Sequence, residues 1–181
     1  MESINLLVTY HPYQQGLAER EVRRNVEEAG FQLEEMDKTT VQGVMGIRVR
    51  GDPKRLVATL RRSFSESPGM FSYTYHWVPI ERWVPSTEGS MVEAAKELSE
   101  GIGSDERWML HLHRRHLAKH SDELVKLLTD PIAKGPVDLE NPQKILVVEI
   151  LGDSTGMSVA NKDEVLDVNK LRQQIGMVQL A

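Results

Sequence analysis

Trp108-Met-Leu-His-Leu-His-Arg-Arg-His116 places three imidazoles and two guanidinium groups on one short segment, with Lys119 and His120 just beyond it. Arginine binds phosphate oxygens through a planar fork, and histidine donates to phosphates or stacks on unpaired bases. If the segment is a strand, the pleat sets His111, His113 and Arg115 on one face, with Leu110, Leu112 and Arg114 on the other. The spacing predicts a strand that ends at about His113, so that Arg114, Arg115 and His116 enter a loop and swing toward phosphates. With Arg107, the stretch 107–120 holds four cationic side chains and four histidines but no carboxylate. A solvated strand end balancing carboxylates elsewhere would share this composition.

The histidines also suggest a second chemistry. Imidazoles two apart on a strand can share a metal ion, and His111, His113, His116 and His120 are the basis of an alternative reading as a metal-dependent or small-molecule enzyme. The chain has no cysteine, and 107–120 contains no carboxylate to complete a ligand set, so no metal is expected. A different oddity lies downstream, where Glu149 interrupts the apolar run Ile145–Leu151. A carboxylate in a buried strand needs either a partly open face or a nearby arginine.

Arg61 and Arg62 have no acidic neighbour before Glu66 and are candidates for a second phosphate contact. Arg20, Arg23 and Arg24 lie among Glu19, Glu21, Glu27 and Glu28 and read as a solvated helix. Trp77 and Trp83 are read as packing residues. Gly152-Asp-Ser-Thr-Gly156 lacks the lysine and spacing of a phosphate-binding loop and reads as a hairpin turn. No nucleophile elbow or metalloprotease spacing is present, so no catalytic residues and no cofactor are expected.

The 181-residue chain is long enough for two small domains, and lack of cysteine excludes a disulfide scaffold or thiolate-bound zinc. No apolar run reaches the length of a membrane span, and the start Met1-Glu-Ser-Ile-Asn lacks secretory features, which makes the cytoplasm the expected compartment. Net charge is −5, opposite in sign to the usual nucleic-acid footprint. Its distribution matters more: up to Pro85 there are 11 basic and 11 acidic residues, and beyond it 11 and 16, so 107–120 is a basic stripe on an acidic background.

Periodicity predicts strands at Ile4–Tyr10, Phe31–Met36, Val44–Val49 and Met70–Val78, with helices at Leu17–Ala29 and from Asp52-Pro53 through Phe64. This is the split βαβ order of a ferredoxin-like unit, placed at residues 1–80 of an α/β (α+β) chain. Pro79–Pro85 reads as a linker or hinge strand. Helices are expected at Glu88–Ile102 and from Ser121, as N-cap, to Ile132. A short extended segment, Val137–Leu139, is stopped by Asn141-Pro142, and Ile145–Leu151 is a buried strand whose hairpin partner contains Met157–Val159. Beyond Lys162 an edge strand or short helix and a terminal turn are expected.

Val137-Asp-Leu-Glu-Asn-Pro142 and Val148 to Val159, with its Gly-x-x-x-Gly-x-Ser-Val, resemble the C-terminal half of a THUMP domain, an RNA-binding module of tRNA-modifying systems. The resemblance assigns residues 81–181 to that module and makes a ferredoxin-like unit its usual companion. With no catalytic domain after residue 181, the chain looks most like stand-alone THUMP proteins that serve the acetyltransferase making N4-acetylcytidine in tRNA. The resemblance implies a non-catalytic adaptor that holds the acceptor stem and 3′ CCA end. The RNA-contacting residues would be Arg107, His111, His113, Arg114, Arg115, His116, Lys119, Arg61 and Arg62. A protein-interaction subunit without RNA affinity is a third reading, which the negative charge permits.

Overall fold

Two separate sheets organise the computed structural model, which describes residues 1–115 and 121–176, and of Ser121 only the backbone. His116, Lys119, His120 and the side chain of Ser121 therefore lie outside the described residues. The first unit comprises Ser3–Pro79 and the chain from Asp163 on; the second comprises Ile80–Lys162 with the first two residues. The chain passes from the first unit to the second after Pro79. A continuous second domain to residue 181 does not match this division, because the chain crosses back after Lys162.

In the first unit, β1 (Leu6–Tyr10), α1 (Gln15–Glu28), β2 (Leu33–Lys38), β3 (Val44–Val49), α2 (Pro53–Glu66) and β4 (Thr74–Pro79) follow in sequence. The sheet is antiparallel, in the order β2-β3-β1-β4, with β1 paired on both sides. Leu6 and Val8 of β1, Met45 and Ile47 of β3, and Trp77 of β4 join Ala18, Val22 and Val26 of α1 and Leu56, Leu60 and Phe64 of α2 in one core. Both helices thus use their apolar stripes against one sheet face. Asp52 starts α2 by accepting from the Lys54 amide at 2.9 Å, with Pro53 at the first helical position. Such a cap contributes about 1 kcal/mol.

The start of β4 differs from the periodicity. β4 starts at Thr74 because Pro68–Met70 forms a 3-10 turn, and the backbone after it is held by Glu21. This carboxylate is buried on α1 and accepts from the Ser72 amide at 2.6 Å and the Tyr73 amide at 3.1 Å. Trp77 is fully buried, edge-on to Phe71, and its indole N–H donates to Thr74 Oγ1 at 3.0 Å. After Lys162 the chain supplies β9 (Leu166–Asp167), which pairs with β4, and α5 (Val168–Gln174). Asp167 caps α5 through the Lys170 amide and pairs with His76 of β4 at 3.2 Å.

The second unit contains β5 (Arg82–Pro85), α3 (Glu88–Leu98), β6 (Trp108–Arg115), α4 (Ser121–Thr129), β7 (Lys144–Leu151) and β8 (Ser154–Asn161). The sheet order is β5-β8-β7-β6, with β6 and β7 parallel. The Pro79–Pro85 hinge is thus partly an edge strand of this sheet. Leu146, Val148 and Ile150 of β7 pack with Met91, Ala94 and Ala95 of α3 and Leu124 and Leu128 of α4. Val147, Glu149 and Leu151 on the opposite face are buried too, which explains the nearly unbroken apolar run. Leu151 pairs with Ser154 around Gly152, whose φ of 61° suits a two-residue hairpin turn, as the glycine spacing predicts. Gly156 belongs to β8 itself, where an added Cβ would lie 2.9 Å from Ile80 and 3.0 Å from Trp83.

The start of β6 is pinned by Trp108. Its indole N–H donates to the Gly135 carbonyl at 2.8 Å and its amide to the Pro136 carbonyl at 3.1 Å. A Cβ on Gly135 would sit 2.2 Å from the Glu106 carbonyl oxygen, a backbone atom with little freedom to withdraw. Gly135→Ala is therefore expected to destabilise the protein by about 1–3 kcal/mol in urea unfolding. Gly89→Ala, on α3 where the new methyl meets nothing within 4 Å, should be neutral or stabilising by about 0.5–1 kcal/mol. Equal effects at the two positions would refute the backbone clash.

Candidate functional site

The carboxylate of Glu149 gathers the basic strand into one cluster. β6 and β7 run parallel with His113 opposite Glu149, two positions beyond the pair His111 and Val147. The pleat brings His111, His113 and Arg115 to the face on which Glu149 lies. His111 Nε2 is 3.0 Å from Glu149 Oε1, and His113 Nδ1 is 3.2 Å from the same oxygen. Arg115 Nη1 donates to the other oxygen, Oε2, at 2.8 Å. The imidazole rings lie 4.3 Å apart between centroids, inclined by 56°.

Burial separates the roles of these groups. Glu149 is 2% exposed, whereas the side chains of His111, Arg115 and His113 are 17%, 23% and 35% exposed. Burial by itself raises the Glu149 pKa, but hydrogen bonds from His111 and His113 and their charge outweigh it and hold the carboxyl well below the usual range. The carboxylate thus stays ionised inside the sheet, with two imidazole nitrogens against Oε1 and the Arg115 guanidinium on Oε2. The arginine anticipated from the interrupted apolar run is Arg115.

This arrangement alters the expected path of the basic segment. The strand does not end at His113 but continues through Arg115, because β7 keeps offering a paired backbone to Leu151. Arg114 and Arg115 are therefore fixed on opposite faces instead of swinging from a loop. Arg114 Nη1 is buried and has no hydrogen-bond partner among the described residues. Arg107 is engaged locally: its Nε donates to the Asn141 carbonyl at 3.0 Å and lies 3.6 Å from Asp138. Asp138 in turn accepts from the Glu140 and Asn141 amides, and these bonds lower its pKa. Arg107 thereby braces the Val137–Pro142 turn.

Arg61 and Arg62 belong to the first unit. Arg61 donates to the Val165 carbonyl at 3.3 Å, tying α2 to the returning C-terminal segment. Arg62 donates to Thr59 at 3.3 Å and, with Arg55 and Phe31, lines an open cavity of about 520 Å³. Glu149 is the site residue that lies outside the basic segment 107–120. The signal for it was the lone charge in an apolar strand. Of the four-histidine set, His111 and His113 meet, with Glu149 supplying the carboxylate. The ligand atoms of these three residues all lie within 4.8 Å of one another. No helix among the described residues is long and apolar enough to cross a membrane.

No protein-family model matches the sequence, and no curated protein matches it at a significant level. Similarity appears in solved structures. PH1313 from Pyrococcus horikoshii Ot3 aligns over 91% of this chain and 55% of its own, with 12% identity and a TM-score of 0.62. TrmN from Thermus thermophilus aligns over 85% of this chain and 44% of its own, with 19% identity and a TM-score of 0.53. SMU.472, solved in complex with SAH, aligns over 88% of this chain and 41% of its own, with 9% identity and a TM-score of 0.54. The chain thus spans about half the length of the solved proteins it matches. At these identities the likeness concerns the fold, which is mixed α/β and THUMP-like.

Because the folded Glu149 pKa is depressed, the stability it contributes is present above its ordinary value of 4.5 and is lost as pH falls below it. Glu149→Ala, which leaves Arg115 without its partner, is expected to cost about 3–5 kcal/mol at pH 7. Glu149→Gln should cost less, since an amide oxygen can still accept. In urea titrations the gap between wild type and Glu149→Gln should narrow between pH 5 and pH 3, values set by the ordinary carboxylate range. A gap independent of pH would show that the carboxylate charge contributes nothing.

Proposed function

We propose that this protein is a non-catalytic tRNA-binding adaptor that holds the acceptor stem and 3′ CCA end and presents tRNA to a separate modification enzyme. The enzyme of this reading is the acetyltransferase that forms N4-acetylcytidine. The observation that carries the RNA-binding part is the cationic end of β6, with Arg114 and Arg115 in the sheet whose β7–β8 hairpin bears the THUMP-like Gly-x-x-x-Gly-x-Ser-Val. Fold likeness over most of the chain supports it. The order β2-β3-β1-β4, with both helices sharing one core, supports reading the first unit as the ferredoxin-like companion. The adaptor role, the enzyme partner and a cytoplasmic location rest on the resemblance and the sequence.

Within this reading the β6 arginines have unequal tasks. Arg115 spends one nitrogen on Glu149 and keeps others for a ligand, so its position is set before RNA arrives. Arg114 projects from the other face, its Nη1 has no hydrogen-bond partner among the described residues, and the guanidinium is assigned to a phosphate oxygen that it meets once the side chain turns outward. His111 and His113 supply partly exposed rings for an unpaired base.

Fluorescence anisotropy with intact tRNA and with the same tRNA lacking its 3′ CCA, at two salt concentrations, tests the proposal. Binding should weaken with salt and fall sharply on trimming; equal affinity for the two RNAs removes acceptor-end recognition, and no binding removes the RNA role. Arg114→Ala should weaken binding and lower the salt slope by about one, the value for one lost phosphate contact. A separate assay addresses catalysis: purified protein with tRNA, acetyl-CoA and ATP should form no acetylcytidine until the acetyltransferase is added. Product from this protein alone would overturn the adaptor role.

A further inference from the structure

The same face of β6 has a geometry that RNA binding does not require. We propose that His111 Nε2, His113 Nδ1 and a Glu149 carboxylate oxygen form a binding site for one divalent transition-metal ion of the zinc class. The three ligand atoms already converge within 4.8 Å, and Glu149 Oε1 stands 3.0 and 3.2 Å from the two imidazole nitrogens. A tetrahedral ion with bonds of about 2.0–2.1 Å holds its ligands roughly 3.3–3.4 Å apart. Entry of an ion therefore requires the two nitrogen–oxygen contacts to open by only a few tenths of an ångström, while the two ring nitrogens, within 4.8 Å of each other, draw together on the ion.

The backbone favours a preformed site. His111 and His113 are two apart on one strand face, and Glu149 lies abreast of His113 on a strand paired on both sides. Three ligands on adjacent strands need little ordering when the ion arrives. Two nitrogen donors and one carboxylate select zinc, nickel, cobalt or copper over magnesium and calcium, which prefer oxygen ligands. The buried carboxylate forms the floor, and the partly exposed imidazoles leave the fourth position to water or an added ligand.

Arg115 gives the site a distinctive electrostatic signature. It occupies Oε2 and leaves Oε1 for the ion, so it orients the ligating carboxylate from the second oxygen. Its charge also repels the ion. Removing a ligand must weaken binding, whereas removing the arginine charge must strengthen it. Binding to scattered surface histidines would respond to neither Glu149 nor Arg115. Ion binding also requires the unprotonated nitrogen of each imidazole to face Oε1, the reverse of the arrangement in which both rings donate to it.

The test uses the full chain, freed of metal by chelation and dialysis, and titrated with zinc chloride by calorimetry and with cobalt chloride by visible absorption. One ion per chain with the visible bands of tetrahedral cobalt is expected. His113→Ala and Glu149→Gln should each weaken zinc binding by about tenfold or more, and Arg115→Gln should tighten it by about tenfold, given the strength of charge repulsion at this range. Circular dichroism establishes that each variant is folded. Should Glu149→Gln unfold, the half-exposed His113→Ala and His111→Ala variants carry the comparison. No retained ion, or an affinity unchanged in His111→Ala, His113→Ala and Arg115→Gln, overturns the site.

Discussion

A carboxylate enclosed in a β-sheet is the constraint around which the second unit is arranged. Glu149 cannot be desolvated alone, since the cost of burying an unpaired charge rivals the net stability of a small domain. It is tolerated because β6 lies parallel to β7 in a register that brings His111, His113 and Arg115 against it. A shift of one residue would turn those three side chains to the opposite face, against Leu146, Val148 and Ile150. The cluster thus specifies register as well as charge balance. The Trp108 anchor at the start of β6 sets the same register from the other end.

The first unit solves a related problem with backbone amides. Glu21 is as deeply buried as Glu149, but it accepts from the peptide groups of Ser72 and Tyr73 in place of imidazole and guanidinium side chains. One carboxylate fixes the entry into β4, and the other fixes the end of β6. Arg61 and Arg107 likewise hold carbonyl groups of their own units. Several charges that a composition-based reading assigns to solvent or ligand are thus partly committed to holding loops and strand ends in place.

Where a segment had a clear period, its element was legible. The helices of the first unit, the β3 strand and the β7–β8 hairpin follow from apolar spacing, the Asp52-Pro53 start and Gly152. The last two residues of β6 were not legible, because Arg114 and Arg115 owe their strand geometry to pairing with Ile150 and Leu151 instead of local propensity. β9 has two residues, too few for any period, and its place beside β4 depends on a contact formed across the whole second unit. For the candidate site, alternation placed His111, His113 and Arg115 together. Glu149 was visible as an anomaly needing a partly open face or an arginine, but the choice, and which arginine, depended on a parallel pairing that no local pattern encodes.

The return of the chain after Lys162 makes the second unit an insertion within the first. In order of synthesis, every residue of the β5-β8-β7-β6 sheet is made before Leu166 and Asp167, which complete the other sheet beside β4. The unit that is begun first is therefore finished last. A nascent chain can assemble the inserted sheet while β4 still presents an open edge, a hazard for pairing with other chains. Closure of that edge by β9, with Asp167 meeting His76, ties the maturation of the outer sheet to completion of the inserted one.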